Sequence, residues 1–435
     1  MPKDVLPLLP SENVPAPETR PPPTGAPRLA CANRSQLLLR SVDLDALIAN
    51  DHVARTMWRF VEGLDLAAFH AAIKARGSEP GRSATDPKIL LTLWLYATSE
   101  GIGSAREVAR LCECHDAYRW ICGGVSVSYH TLSDFRVAHR AALDDLLTQV
   151  LAAMMSQGLV TLTRVAQDGT RVRASAGAAS FRREPRLKDL LRAARDQVEH
   201  VKGLEDDPSV TTREAAAKAR AAREREARIE KALEQMPKVR AAKKSEEEKQ
   251  QARASTTDPE ARVMKMGDGG FRPAYNVQFA ATTQEKVIVG VEVTNVGSDK
   301  SQMTPMLEQI EQRCGERPQE HLVDGGFVKL DEIEKAATGG TKVYAPPPAK
   351  KKGESPDYEP KADDTPQVAE WRSRMGTQEA KEIYKDRAAT VEWVNADVKE
   401  HRGMKLRVRG LDKVLAVALL HALTFNLMRW AALTS

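Results

Sequence analysis

The segment Leu159-Val160-Thr161-Leu162-Thr163-Arg164-Val165-Ala166-Gln167-Asp168-Gly169 decides the fold. Its first eight residues are rich in β-branched and apolar side chains, and it ends on an Asp-Gly pair. It reads as a strand with an acidic residue at its C-terminal end. The chain before it reads as helical and the chain after it returns repeatedly to strand character, so residue 159 marks the start of a mixed α/β part.

Downstream, residues 183–256 interrupt that part. Leu187, Leu190, Leu191, Ala194, Val198 and Val201 step by three and four, and Thr211 with Glu214 forms a capping box before an Ala/Arg/Glu-rich run to Met236. This pattern predicts two long antiparallel helices inserted in the α/β part. Tyr275 to Ala280 and Lys286 to Val293 then read as a β-hairpin. A helix near Met303–Gln312 follows, then a short strand from His321 ending in Asp324-Gly325. Next come a helix over Leu330–Ala336 and a strand over Lys342–Ala345. Residues 346–376, rich in Pro, Lys and Asp, read as an excursion loop. A helix from Gln378 to about Lys399 and a last helix from Leu411 to Leu433 complete a mixed sheet flanked by helices.

Upstream, residues 35–158 read as an all-helical part for DNA binding or dimerisation. It has apolar helices around Leu90–Tyr96 and Leu143–Leu151, a Ser104/Glu107 cap, and a break at Gly123-Gly124. Both a helix-turn-helix-like module and a plain helical bundle fit this pattern. Residues 1–34 form a Pro-rich lead, with nine of the 24 prolines in the first 30 residues, and read as disordered. The expected organisation is therefore 1–34, 35–158 and 159–435, the last carrying the insertion 183–256 and the loop 346–376.

Composition bounds the function. The chain has 435 residues, 42% hydrophobic and 29% charged, with a net charge of +5. Five scattered cysteines do not suggest a disulfide framework and suit a reducing cytoplasm. Neither a signal peptide nor a bilayer-length apolar run is visible; Val414–Phe425 reads as a buried helix. Cys112, Cys114, His115 and Cys122 have poor spacing for structural zinc. The absence of a Walker loop and of a Gly-x-Ser-x-Gly elbow argues against ATP use and a serine hydrolase.

Three carboxylates stand out: Asp168 and Asp324, each at a predicted strand end before glycine, and Glu392 in the long helix. In-line attack on a phosphodiester places negative charge on the entering and leaving oxygens, which two divalent ions about 3.5–4 Å apart stabilise. Mg²⁺ takes hard oxygen ligands, so carboxylates from separate elements suffice. On an ideal helix Lys399 lies within about 20° of the face of Glu392, Tyr384 about 80° away and Arg387 about 140° away. The residue patterns have plainer readings too, since Asp-Gly is a common turn pair and Glu and Lys on one helix face often form a solvated pair. Basic residues cluster beside the acids: residues 164–188 carry seven Lys/Arg against two acids, and residues 399–413 carry six against two.

The run from Tyr384 through Arg387 and Glu392 to Lys399 resembles the Tyr-Arg-Glu-Lys signature of DDE insertion-sequence transposases. His401-Arg402-Gly403-Met404 and Arg409-Gly410-Leu411 are similar to the insertion sequence 1182 group. Gln167-Asp168-Gly169-Thr170 and Val323-Asp324-Gly325-Gly326-Phe327 resemble that family's first two acidic motifs. Thr257 to Arg262, Tyr275 to Gln278 and the helical stretch Asp86 to Arg140 match further segments. Two features depart from it: four residues instead of three separate Arg387 from Glu392, and Ala281-Thr282-Thr283 stands where an acid is common. The resemblance implies a ribonuclease-H-like core in which Asp168, Asp324 and Glu392 are catalytic and bind two Mg²⁺ (or Mn²⁺) ions. It implies DNA contacts by Tyr384, Arg387, Lys399, Arg402 and Lys405, and cleavage of element ends followed by strand transfer of the 3′-hydroxyl. Double-stranded DNA, a homodimer on it, and a bacterial cytoplasmic, nucleoid-associated setting follow. A transposase-derived regulator that binds DNA without cutting is the alternative.

Overall fold

The computed structural model describes residues 41–77, 83–202, 211–349 and 357–434, so the Pro-rich lead lies outside the described residues. The helical part comprises α1 (Val53–Glu62), α2 (Ala67–Ala71), α3 (Pro87–Ser99), α4 (Ala105–Cys114), α5 (Asp116–Cys122), α6 (Tyr129–Ala138) and α7 (Arg140–Ser156). Then come β1 (Arg164–Arg173), β2 (Phe181–Arg182), α8 (Glu184–Lys202), α9 (Thr212–Ala241), α10 (Glu246–Gln250), β3 (Ala254–Ser255), β4 (Arg262–Lys265), β5 (Phe271–Thr282) and β6 (Ile288–Thr294). The chain closes with α11 (Met303–Cys314), β7 (Glu320–Leu322), α12 (Leu330–Thr338), β8 (Lys342–Tyr344), α13 (Pro366–Gly376), α14 (Gln378–Asn395) and α15 (Leu411–Thr434).

The main sheet is mixed. β5 pairs antiparallel with β1 on one side and with β4 and β6 on the other, while β1, β7 and β8 run parallel. β1 starts later and runs further than its sequence suggests. It stays in register with β5 from Val165 opposite Thr282 to Arg173 opposite Ala274, so Asp168 lies in mid-strand rather than at the strand end. A partner strand as long as β5 overrides the local turn preference of Asp-Gly. The β5–β6 hairpin, α11, α12, β7 and β8 fall where the patterning puts them.

The insertion is a helical hairpin. Arg195 pairs with Glu226 and Glu230, Arg225 donates to Gln197, and Arg240 pairs with Glu184, a nearly constant sum of positions that requires antiparallel helices. Thr211 and Glu214 form the full capping box at the start of α9, which runs on through Pro237 to Ala241. The expected loop 346–376 is corrected at its end, where residues 366–376 form α13. Pro366 opens this helix, and Val368, Trp371 and Met375 are buried along one face. The buried pair Arg372–Asp364, 2.7 Å apart, anchors it.

The helices before residue 158 and the sheet after it share one hydrophobic core, and α15 runs through it. Val414, Ala416 to Leu420, Ala422, Leu423, Phe425 and Leu427 are all buried there. By length and composition α15 could cross a membrane (mean hydropathy 1.5), but 72% of that window is buried inside the protein. Asn426 fixes its register against β6, accepting from the Ile288 amide at 2.8 Å and donating to the Ile288 carbonyl at 2.7 Å. At the other end, buried Asp258 accepts from the Tyr275 hydroxyl (2.7 Å) and the Gly410 amide (3.1 Å), and Glu260 accepts from the Leu411 amide (3.0 Å). The Thr257–Arg262 motif is thus the platform on which α15 starts. Gly410 has φ +89, and a Cβ there would sit 2.7 Å from Glu260 Oε2.

Two buried histidines predict how the fold responds to acid. Burial pushes His321 and His421 down to about 3. Unfolded histidine takes up a proton below about pH 6.5, which the folded protein refuses, so stability is full above 6.5 and falls with pH down towards 3. The slope is about 1.4 kcal/mol per pH unit per histidine. Burial raises the carboxyls of Asp258 and Asp168, which act in the opposite sense, favouring the fold as they protonate at lower pH. The urea midpoint is therefore expected to drop between pH 7 and 5, and less steeply in His421→Gln; equal slopes in the two proteins would refute the assignment.

Candidate active site

Strand register builds the site. Ala166 lies opposite Leu322 in the parallel β1–β7 pair. Two residues further along each strand, on the same face, come Asp168 and Asp324. β7 has ended by then, so Asp324 stands on a turn held by the Gly326 amide, which donates to Asp324 Oδ1 at 2.7 Å.

α14 lies across this face. It is tied down by the Arg164–Asp386 ion pair and by Lys286, whose ammonium donates to Thr390 at 2.9 Å. Its Arg387 places Nη2 at 3.2 Å from Asp168 Oδ1 and 3.7 Å from Asp324 Oδ2. Asn395 Nδ2 donates to Asp168 Oδ2 at 3.1 Å. Each carboxylate thus has one oxygen fixed by a neutral donor and the other turned toward a single guanidinium. Burial raises the Asp168 carboxyl, Arg387 opposes that, and the carboxylates of Asp324 and Asp299 add to the rise. Burial, opposed by Arg387, also raises the Tyr384 hydroxyl, and the two site aspartates add to it, so Tyr384 belongs to the same locale.

A buried polar layer supports β1 from its other face. Asp299 accepts from Asn276 and Gln278, both at 2.7 Å, and from Arg171 at 2.7 Å. Gln167 donates to Gln278 (3.1 Å) and to the Gln302 carbonyl (3.0 Å), and His321 Nε2 lies 3.0 Å from Gln167 Oε1. Gly169 faces this layer, where a Cβ would fall 2.2 Å from Asp299 Oδ1 and 2.3 Å from Gln278 Nε2. The glycine after Asp168 therefore makes room for a buried carboxylate, not for a turn.

Among the described residues, no hydrogen bond or ion pair links the other sequence-predicted residues to the aspartate pair. Glu392 is exposed, and among the described residues its side chain makes no hydrogen bond or ion pair. Arg402 is paired with Asp397 at 2.5 Å, and Lys405 is exposed. Lys399 is exposed on the π turn Ala396–His401 that follows α14. That wider turn breaks the 100°-per-residue count that put Lys399 on the face of Glu392. Among the described residues no three His, Cys, Asp or Glu side chains are grouped to hold a metal ion. The donor set fits a divalent cation as far as the Asp168–Asp324 pair, two hard oxygens converging where Arg387 now supplies the positive charge. Asn395 and Asp299 escaped the sequence reading. Asn395 was detectable as a polar residue about 80° round the helix from Arg387, whereas Asp299 carries no local signal.

Two family models match the chain. Residues 42–138 match a transposase domain (DUF772), and residues 349–431 match a transposase DDE domain. Neither a curated protein nor a solved structure gives a significant match. The first match spans α1 to α6. The second spans α13 to α15 and so includes Tyr384, Arg387 and Glu392, while Asp168 and Asp324 lie outside both. Together the two domains indicate a DNA transposase of the DDE type, a DNA-processing enzyme with DNA as its partner.

Proposed function

We propose that this chain is an insertion sequence 1182 group transposase that cuts the ends of its element and joins the freed 3′-hydroxyl to target DNA. The observation that carries this reading is the meeting of Asp168 and Asp324 at one guanidinium, beneath the helix of the DDE-domain match. The strand order β6-β5-β1-β7-β8, with only β5 antiparallel to β1 among its neighbours, supports a ribonuclease-H-like core.

Asp168 and Asp324 would hold Mg²⁺ or Mn²⁺, with Glu392 as the third ligand once α14 or its side chain rearranges. Two ions bound there would stabilise charge on the oxygens entering and leaving phosphorus and lower the pKa of an attacking water. Asn395 and the Gly326 amide orient the two aspartates by holding one oxygen of each. Arg387 balances their charge, and would be free for a DNA phosphate if a cation took its place between the two carboxylates. Tyr384, Lys399, Lys405 and, once released from Asp397, Arg402 would contact the DNA near the cut. Two ends must be joined, so the working form is a homodimer on DNA, acting in the bacterial cytoplasm at the nucleoid.

The exposed position of Glu392 favours one second reading, a regulator of transposase origin that binds DNA without cutting. Incubating the protein with supercoiled plasmid bearing the DNA that flanks its gene separates the two. Nicking that needs Mg²⁺ and stops with chelator supports the transposase; binding without nicking supports the regulator.

Because Arg387 competes with a cation for the same two oxygens, Arg387→Ala is expected to bind Mn²⁺ about tenfold more tightly without DNA. Titration calorimetry reads this directly, and unchanged or weaker affinity would count against the pair as a metal site.

A further inference from the structure

The two basic runs flanking the acidic motifs meet in space, at the base of the helical insertion. A cavity of about 460 Å³ there is lined by Arg182 and Arg186 from the first run, Arg409 from the second, and Arg225 and Arg228 from α9, with Thr257 beside them. No acidic side chain lines it. Among the described residues, Arg182, Arg225 and Arg409 donate to neutral oxygens, those of the Phe181 carbonyl, the Gln197 side chain and the Ser175 carbonyl. Among the described residues, Arg228 is the one of the five with a carboxylate at ion-pair distance, Glu224 at 3.6 Å.

Elsewhere on the same hairpin three arginines carry carboxylate partners. Arg195 has Glu226 and Glu230, Arg192 has Asp189, and Arg240 has Glu184. Solubility does not account for five guanidinium groups from three chain segments turned into one concave site whose nearby counter-charges, among the described residues, are Glu224 beside Arg228 and Asp258 near Arg409. Like charges brought together this way cost stability unless an anion joins them. The guanidinium fork matches phosphate oxygens, and the cavity has the volume of about fifteen waters, room for a hydrated phosphodiester.

The position relates this cavity to the aspartate pair. Arg409 holds the Ser175 carbonyl, and Ser175 follows Asp168 by seven residues, at most about 25 Å of extended chain. That is less than one turn of duplex DNA, about 34 Å. We infer that this arginine pocket grips the backbone phosphates of DNA flanking the cleavage position, making the helical insertion a part of the DNA-binding surface. The inference rests on the transposase reading for the identity of the polyanion.

The test measures binding, not cutting. Fluorescence anisotropy of a labelled duplex is followed against salt, with chelator present. Arg186→Ala combined with Arg225→Ala is expected to weaken binding about tenfold and to reduce the salt slope by about 1 to 2. The pair Arg186→Lys and Arg225→Lys should retain most of the affinity, and Lys218→Ala with Arg220→Ala, elsewhere on α9, should bind like the parent. Circular dichroism checks that each variant is folded. Parent-like binding by the Arg186/Arg225 alanine variant overturns the pocket while leaving the transposase reading intact. Equal weakening in the Lys218/Arg220 control overturns it too, as a general charge effect. Competition by inorganic phosphate, with no loss of DNA affinity in the alanine variant, would mark a site for free anions instead. Failure of the parent to bind any duplex overturns both readings.

Discussion

Asp324→Asn is expected to bind end-sequence DNA as tightly as the parent protein and to nick it about a thousandfold more slowly or worse. The substitution keeps the shape and removes the charge. The amide oxygen can still accept from the Gly326 amide, but the other position becomes an N–H donor facing Arg387 where an acceptor stood. The Asp324 side chain is 43% exposed, so the fold loses little. Asp168→Asn should be equally inactive, and because Arg387 and Asn395 both donate to Asp168 while an amide can accept from only one of them, it should also be somewhat less stable. Comparable nicking rates in the parent and either variant would end the enzyme assignment.

Gly169→Ala is expected to destabilise the protein by about 3 kcal/mol, through overpacking and a broken buried network. The added methyl would collide with the side chains of Asp299, Gln278 and Asn276. Those atoms belong to flexible side chains but are not free to leave. Asp299 and Gln278 are buried, and each satisfies a partner that would be orphaned by movement. Pulling β1 away instead would carry Asp168 off Arg387 and Asn395, so the variant should also lose Mn²⁺ binding. A urea midpoint like the parent's would show that the layer is softer than its hydrogen bonds imply.

Parts of this architecture were legible in the chain because their causes are local. The β5–β6 hairpin follows from β-branched alternation around a short polar turn, and α9 from a capping box and an alanine-rich run. What escaped depends on distance. Asp168 continues a strand only because β5, more than a hundred residues later, pairs with it along its whole length. α13 was concealed by Pro and Asp residues that turn out to be its opening and its buried anchor, Pro366 and Asp364. The π turn after Asn395 spoiled a face calculation that assumed an ideal helix. The acid pair itself was foreseeable from two Asp-Gly motifs. Its counter-ion was not, since the spacing of Arg387 from Glu392 pointed away from the acids while tertiary packing turned it toward them.

α15 makes closure of the shared core an all-or-nothing event. Until α15 leaves the ribosome, the inner surfaces of α3, α7 and β6 have nothing to close upon, and Ile288 lacks the side chain that satisfies its backbone. A premature stop before Leu411 would leave greasy faces bare, yielding fodder for proteases rather than a partly working fragment.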